Sequence, residues 1–405
     1  MNTVQKTKKY LFYPSNKPLL WLALSLVLGI LIGTSAAIFL SVLEYVTQVR
    51  IHQPMLLWGL PLGGLFVGGL YHYFGGTANK GNNLLIQEYH HPVERIPLKM
   101  APFVLLGTWI THLFGGSAGR EGTAVQMGGA IADQFSRLFP LDAADRQALL
   151  LMGIAGGFAA VFGTPLAGML FALELMVVGR SKYNYILPLF LTAIVSHLVC
   201  ISWGITHTVY SVEHIPSLTP LTLIKVSLAG ILFGWTAVLF IKATDAVSHI
   251  ATTRIAFPPL RPFFGGLLVI ALFYSFQDTR FLGLGVETIV DAFTTPQDYS
   301  VFLLKIIFTA ITLGAGFKGG EVTPLFFIGA TLGSFLAVYL QLPLGFVASL
   351  GFVAVFTGAT KTPLACIFMA GELFGAEVLI YAGLACLFAY LSSGKHSIYK
   401  FQLYL

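Results

Sequence analysis

Residues 19–43 form one apolar stretch without a single ionised side chain. As a helix rising 1.5 Å per residue, a stretch of that length outspans the roughly 30 Å hydrocarbon core of a bilayer. A run this long and this apolar has few other homes. More follow at 56–73, 148–178, 186–203, 223–241, 263–276, 301–317, 324–340, 343–370 and 378–391. About 20 apolar residues make one crossing; several of these runs are shorter, and several are long enough for two helices. The irregularity predicts an all-α polytopic membrane protein whose helices are tilted, broken and re-entrant. Composition agrees: 56% of residues are hydrophobic, the mean hydropathy is +0.81 and only 10% are charged, against about 25% charged in soluble domains. A soluble chain of this make-up would expose apolar patches that monomers do not tolerate.

The formal net charge is +6, and basic residues cluster at the ends, as Lys6, Lys8 and Lys9 and as Lys395, His396 and Lys400. That placement fits a membrane surface rather than nucleic acid, and the positive-inside rule puts both termini in the cytoplasm of a multi-pass protein of the cell inner membrane. Residues 19–43 are too long for a signal peptide and lack a small-residue cleavage site, so the segment is expected to be retained. Cys200, Cys366 and Cys386 all lie in apolar runs, where no disulfide is expected.

Self-comparison reveals a second constraint. Gly116-Ser-Ala-Gly-Arg-Glu-Gly-Thr123 lies 200 positions before Gly316-Phe-Lys-Gly-Gly-Glu-Val-Thr323, which aligns Glu121 with Glu321 and Thr123 with Thr323. Thr164-Pro-Leu-Ala167 lies 198 positions before Thr362-Pro-Leu-Ala365, and Glu174 and Glu372 each fall 10 residues beyond their threonine. Two matches in the same order at nearly the same offset indicate a duplicated unit. The expected organisation is a tail at 1–17, a first membrane repeat at 18–205, a linker at 206–219, a second repeat at 220–391 and a short end segment at 392–405. Repeats of this kind often have inverted topology and meet at a mid-membrane site.

Each half holds a glycine-rich segment followed by a good helix. Glycine lets backbone approach a ligand closely, and a helix that starts there aims free N–H groups and the positive dipole end at the same point. Irregular backbone at membrane depth is tolerated where it lines a cavity or is buried in protein. Two such starts facing each other make an anion site of partial charges, from which the ion can also leave. Gly63-Gly64 and Gly68-Gly69 lack an ionisable neighbour and read as helix-packing glycines. Glu121 and Glu321, carried by the two glycine segments, read as functional acids, because ionisable groups inside a membrane are costly.

At these residues the chain resembles the CLC family of anion channels and transporters. Gly119-Arg-Glu-Gly-Thr123 is similar to the motif that carries the gating glutamate, and the stretch from Gly157 to Glu174 resembles the helix after it. Gly319-Gly-Glu-Val-Thr-Pro324 falls at the second-half anion loop, and Tyr399 at a near-terminal tyrosine facing the ion. Three departures resemble the fluoride/proton antiporter branch, often called CLC-F. Asn82 replaces the serine of the usual Gly-Ser-Gly-Ile-Pro loop. Glu321 and Thr323 replace residues of the usual Gly-Gly-Ile-Phe-Ala-Pro loop. Leu175 stands where chloride exchangers keep an inner glutamate. The resemblance implies two inverted repeats, a homodimer with one pore per subunit, and fluoride export in exchange for protons, with chloride as a further candidate ion.

Chemistry makes the shift to fluoride intelligible. A small, tightly hydrated anion needs strong, close donors, and Asn82 and Thr323 offer an amide and a hydroxyl. Neutral Glu121 and Glu321 could each donate as well. As a carboxylate Glu121 can fill the anion site; protonated, it can move away carrying the proton. Expected anion contacts are Asn82, Gly122, Glu321, Val322, Thr323 and Tyr399, while whether Asn82 or Asn83 faces the ion stays open. Simpler roles compete: a dipole-satisfying acid for Glu121 and Glu321, a cap for Thr323, a turn residue for Asn82 and an interfacial anchor for Tyr399. Arg120 is expected to be structural, paired with Glu88 where the family keeps a partner acid. Glu174 and Glu372 are expected to share a packing or capping job, and Thr360, Lys361 and Thr362 to start a helix before Pro363. The alternatives are a CLC chloride/proton antiporter or voltage-independent chloride channel, and an intramembrane enzyme using Ser117, for which His112 has no evident orienting acid. No metal, organic cofactor or ATP site is expected, since neither glycine segment has P-loop spacing.

Overall fold

The computed structural model describes residues 18–139, 141–178 and 185–404. The tail at 1–17, with Lys6, Lys8 and Lys9, lies outside the described residues. Sixteen α-helices account for most of the described residues. Five helical stretches are long and apolar enough to cross a membrane, and eight shorter apolar ones accompany them.

The long members are α1 (Pro18–His52) and α9 (Pro220–Arg254), 35 residues each. Both extend to about 52 Å and exceed the hydrocarbon thickness, so they must lie tilted. Thr219 caps α9, accepting the Thr222 N–H. The short members carry the site. They are α5 (Glu121–Gln134), α7 (Pro165–Met176) and α15 (Pro363–Phe374), of 14, 12 and 12 residues. At about 18–21 Å they end inside the membrane, as the uneven apolar runs predict.

Helix α5 packs on α6 (Ala143–Phe162), and α13 (Val322–Leu340) packs on α14 (Leu344–Thr360). Glycine makes both crossings close. A Cβ at Gly128 would run into the Gly153 carbonyl, and one at Gly329 into the Gly351 carbonyl, so no larger residue permits this approach. Gly64 and Gly68 press against Pro262 and Pro259 in the same way, at the contact of α2 (Leu60–Leu70) with α10 (Leu260–Phe276). Gly63, against Phe114, joins them in the packing role read from sequence, whereas Gly69 faces open space and does not share it.

The broken helices stitch the halves together. Backbone N–H groups of Leu364 and Ala365, in the first turn of α15, donate to the Glu174 carboxylate of α7 at 3.1 and 2.8 Å. Leu166 and Ala167, in the first turn of α7, donate to the Glu372 carboxylate of α15 at 2.9 Å each. Each acid thus caps the other half's helix and meets its positive dipole end. Lys361, in the left-handed region at φ 62°, turns the chain from α14 into α15; of the three residues expected to start that helix only Thr362 does so, as its N-cap, while Thr360 ends α14 and Lys361 caps its C-terminus. Behind these helices an aromatic wall joins Phe158, Phe162 and Phe171 to Phe326, Phe352 and Phe356. Its tightest stack, Phe326 on Phe352, has centroids 4.0 Å apart.

The chain end returns to this wall after α16 (Leu379–Ser392). Leu403–Tyr404 pairs in parallel with Val177–Val178, and the Gln402 amide donates to the Glu174 and Thr360 carbonyls. This clamp holds Tyr399, with its side chain edge-on to Phe171 at 6.4 Å.

Candidate functional site

Two glycine segments meet at the centre of the protein. Gly119 and Gly320 exchange backbone hydrogen bonds of 2.6 and 2.8 Å in an isolated antiparallel bridge. A Cβ on Gly119 would lie 2.9 Å from the Gly320 oxygen and from the Thr323 nitrogen. Glycine is therefore what lets the α5 and α13 starts converge.

Glu121 opens α5, and its side chain is 1% exposed. Its carboxylate lies over the start of α13. It accepts the Thr323 N–H at 3.1 Å and the Thr323 hydroxyl at 2.7 and 2.9 Å. The Arg120 N–H donates to it at 3.3 Å, and the Arg120 Nε lies 3.7 Å away. The carboxylate thus occupies the N-terminal donors and the positive dipole end of α13. Val322, buried, supplies the first helical residue of α13. Thr123 contributes from one turn away by bonding Thr108 at 2.7 Å, which fixes the threonine layer beside the site.

Glu321 stands at the N-cap of α13 without a side-chain capping bond. Its Oε2 lies 4.0 Å from where a Gly122 side chain would begin, and the Asn82 amide nitrogen lies 3.3 Å from that same point. Gly122, Asn82 and Glu321 thus bound one small space next to Glu121. The buried Asn82 Oδ1 has no hydrogen-bond partner within the protein, a costly state for a buried acceptor. Asn83 faces elsewhere, its Oδ1 accepting the Lys400 N–H at 3.1 Å. Tyr399 is 5% exposed and within electrostatic reach of Glu321 and Glu121.

One expected pairing is corrected. Arg120 does not meet Glu88. Glu88, near the end of α3 (Asn82–His90), faces Arg146 of α6 at 3.4 Å, and Arg146 also grips Asp133 of α5 at 2.7 Å. Glu88 further accepts the N–H groups of Val93 and Glu94. The α3 helix points its C-terminal end towards α6 rather than towards residues 119–122, so the acid finds a different arginine. Arg120 is 21% exposed at its side chain, and its buried Nε lacks a hydrogen bond. The Ser117 hydroxyl bonds Thr309 at 2.8 Å, while the His112 ring nitrogens face the Thr108 and Ala118 carbonyls. His112 therefore does not engage Ser117 as a base.

The sequence reading missed the Arg146–Asp133 pair; it expected a shared packing or capping job for Glu174 and Glu372, but not that each caps the other's helix. An arginine in the polar start of α6, just before its apolar run, was the available signal for the first. The symmetric spacing of the two acids was the signal for the second.

Comparison with known proteins bears on the family and the fold. The voltage gated chloride channel family matches residues 63–394. A chloride/fluoride channel protein of Pseudomonas syringae pv. tomato is 47% identical over 388 residues, covering 94% of this chain and 86% of that one. An H(+)/Cl(-) exchange transporter ClcA of Vibrio parahaemolyticus is 30% identical over 285 residues, covering 65% of this chain and 59% of that one. Among solved structures, a CLC-type fluoride/proton antiporter superimposes with a TM-score of 0.93 at 36% identity, covering 96% of this chain and all of that one. A slow cyanobacterial Cl-/H+ antiporter, at 19% identity and a TM-score of 0.80, shares the fold.

Proposed function

Because the chain belongs to the voltage gated chloride channel (CLC) family of membrane anion transporters and channels, we propose that it exports fluoride from the cytoplasm in exchange for protons. The observation that carries the reading is the Glu121 carboxylate lying on the α13 N-terminus, held by the Thr323 amide and hydroxyl. A titratable group seated where an anion would bind couples the two ions. When fluoride takes the α13 donors, the displaced carboxylate picks up a proton; when the carboxylate returns ionised, fluoride is displaced. Coupling follows from competition for one set of donors.

Selection for fluoride rests on Asn82, Glu321 and Thr323. Asn82 supplies amide donors beside Gly122, and Glu321, when protonated, supplies an O–H. These replace part of the water that a small anion holds tightly. Tyr399, buried against Phe171, is the further residue assigned to the ion's surroundings. The names of the 47% identical Pseudomonas relative and of the fluoride/proton antiporter support this choice of ion. We read the two repeats as residues 18–205 and 220–391, the working unit as a homodimer, and the location as the inner membrane with both termini cytoplasmic.

The test is halide efflux from proteoliposomes, with fluoride and chloride followed by selective electrodes at matched gradients. The reading predicts fast fluoride release and slow chloride release. Equal rates for the two ions would assign the chain to chloride exchange instead.

A further inference from the structure

Lys305 carries a charge that takes no direct part in the exchange of ions. It lies on α12 (Tyr299–Gly314), the helix before the second glycine segment, and is fully buried, at 0% exposure. Its Nζ donates to the Gly283 carbonyl at 2.9 Å and to the Phe281 carbonyl at 3.4 Å, and lies 4.9 Å from the centre of the Phe327 ring. Two carbonyl oxygens and a ring face are the surroundings of an ammonium ion rather than of a neutral amine. Lys305 forms no ion pair among the described residues. The charged and titratable groups that face it are Arg50 from α1 and His112 from α4 (Met100–Leu113), both of which also lie against Gly283. Glu287 is within electrostatic reach of Arg50. An ammonium buried this deep without an acid is costly, and inside a membrane such a group points to a function.

The position of Phe327 indicates which. It lies on α13 one turn after Thr323, whose amide and hydroxyl hold the Glu121 carboxylate. One turn is about 6 Å, which places the ammonium on the order of 10–15 Å from that carboxylate. This is too far to touch an ion and near enough to act on it through protein. The charge is also one-sided. At the 200-residue offset of the repeat Lys305 aligns with Leu105, so the cation behind the α13 start has no counterpart at the matching position of the first half. The other charged and titratable groups around Glu121 are Arg120, Glu321, Tyr210 and Tyr399. We infer that Lys305 is a positioning charge that keeps the anion site from standing empty. A fixed cation favours any monovalent anion on the α13 donors, fluoride and the Glu121 carboxylate alike. Replacing one by the other leaves the charge there unchanged, so the exchange itself is indifferent to Lys305. The state it penalises is the third one, with Glu121 protonated and the donors vacant, in which a proton is held without a fluoride. The inference rests on the fluoride/proton reading for the meaning of that state.

At that separation, with an effective dielectric constant of about 20, one unit charge changes a binding constant about five- to fifteenfold. The test removes the charge and keeps the donors. Lys305→Gln retains N–H groups for the two carbonyls but carries no charge. In a Glu121→Gln background, where no carboxylate competes, fluoride binding followed by titration calorimetry should weaken about five- to fifteenfold on adding Lys305→Gln, and stay within about twofold on adding Lys305→Arg. A second readout uses halide-free protein with Glu121 in place. The carboxyl infrared band that Glu121→Gln abolishes should titrate about one pH unit higher in Lys305→Gln, because a carboxylate that has lost its cation holds a proton to higher pH. A side chain that only braces the 281–283 segment would move neither.

Equal fluoride affinity with and without Lys305→Gln, an unmoved infrared titration, or a Lys305→Arg protein as impaired as Lys305→Gln would overturn the inference and leave Lys305 a structural strut. If Lys305→Gln does not fold, Lys305→Met, neutral and of similar length, carries the same test. The charge acts alike on any monovalent anion, so chloride titrated into the same variants separates two failures. Should chloride bind as tightly as fluoride before Lys305 is changed, the proposed substrate fails; a fall in chloride affinity on adding Lys305→Gln would still support the positioning charge, and no fall would overturn it.

Discussion

At the scale of single residues, the proposed mechanism is an exchange of one anion for another. The Glu121 carboxylate accepts three hydrogen bonds from Thr323 groups, the donors fluoride is proposed to use. Thr323→Val removes the hydroxyl and keeps the size. Charge-assisted hydrogen bonds contribute roughly 1.5–3 kcal/mol, so fluoride affinity should fall by about tenfold or more while the fold survives. Isothermal titration or concentration-dependent efflux reads this, and unchanged affinity would remove Thr323 from the ion's shell. Glu321→Ala should lower the fluoride-to-chloride rate ratio, since chloride gains less from a protonated carboxyl. An unaltered ratio in paired electrode traces would leave Glu321 a mere helix-start acid. The sequence made these two acids and Thr323 legible because glycine segments with acids at membrane depth are rare. It left Asn82 and Asn83 undecided, because only the entry angle of α3 turns one amide towards Gly122 and the other towards Lys400.

At the scale of elements, short helices need help that water cannot give. Helices α7 and α15 end inside the membrane, where free N–H groups carry a large penalty. Glu372 and Glu174 meet that need by reaching across. Glu372→Ala should destabilise the protein by about 1–2 kcal/mol as a lost N-cap, with the unfolded fraction in detergent followed by thermal scanning. Glu372→Gln, which keeps one acceptor, should recover part of it; two variants as stable as the parent would refute the cap. Gly351→Ala is predicted to cost about 1–3 kcal/mol by the same measurement, because its methyl would meet the Gly329 carbonyl. The uneven lengths of the apolar runs revealed that some helices are broken but not which acids cap them. The offset between Glu174 and Glu372 was visible, whereas the exchange of partners depends on how the two halves face each other. Glu88 shows the opposite limit. A motif position suggested Arg120 as its partner, and the direction of α3 gave it Arg146 instead.

At the scale of the whole molecule, the duplication makes function follow from packing. Antiparallel pairing of Gly119 with Gly320 sets two helix starts against each other, and the aromatic wall between the halves fixes their separation. An all-helical fold of two repeats was readable from the apolar runs and the 200-residue offset. The cavity behind Glu321, which Thr244, Asp245, Ser248 and Lys400 help to line, was not, since the first three are separated from Lys400 by nearly the length of the second repeat and look like ordinary surface residues in a long helix. The central claim is that Glu121 ties fluoride to protons. It is tested most directly by loading proteoliposomes with fluoride, imposing no proton gradient, and following internal pH with a trapped dye. Fluoride leaving down its gradient should draw protons inward and acidify the lumen, and Glu121→Gln, which cannot titrate, should release fluoride without any pH change. Acidification that persists in Glu121→Gln, or its absence in the parent while fluoride still leaves, would contradict the account.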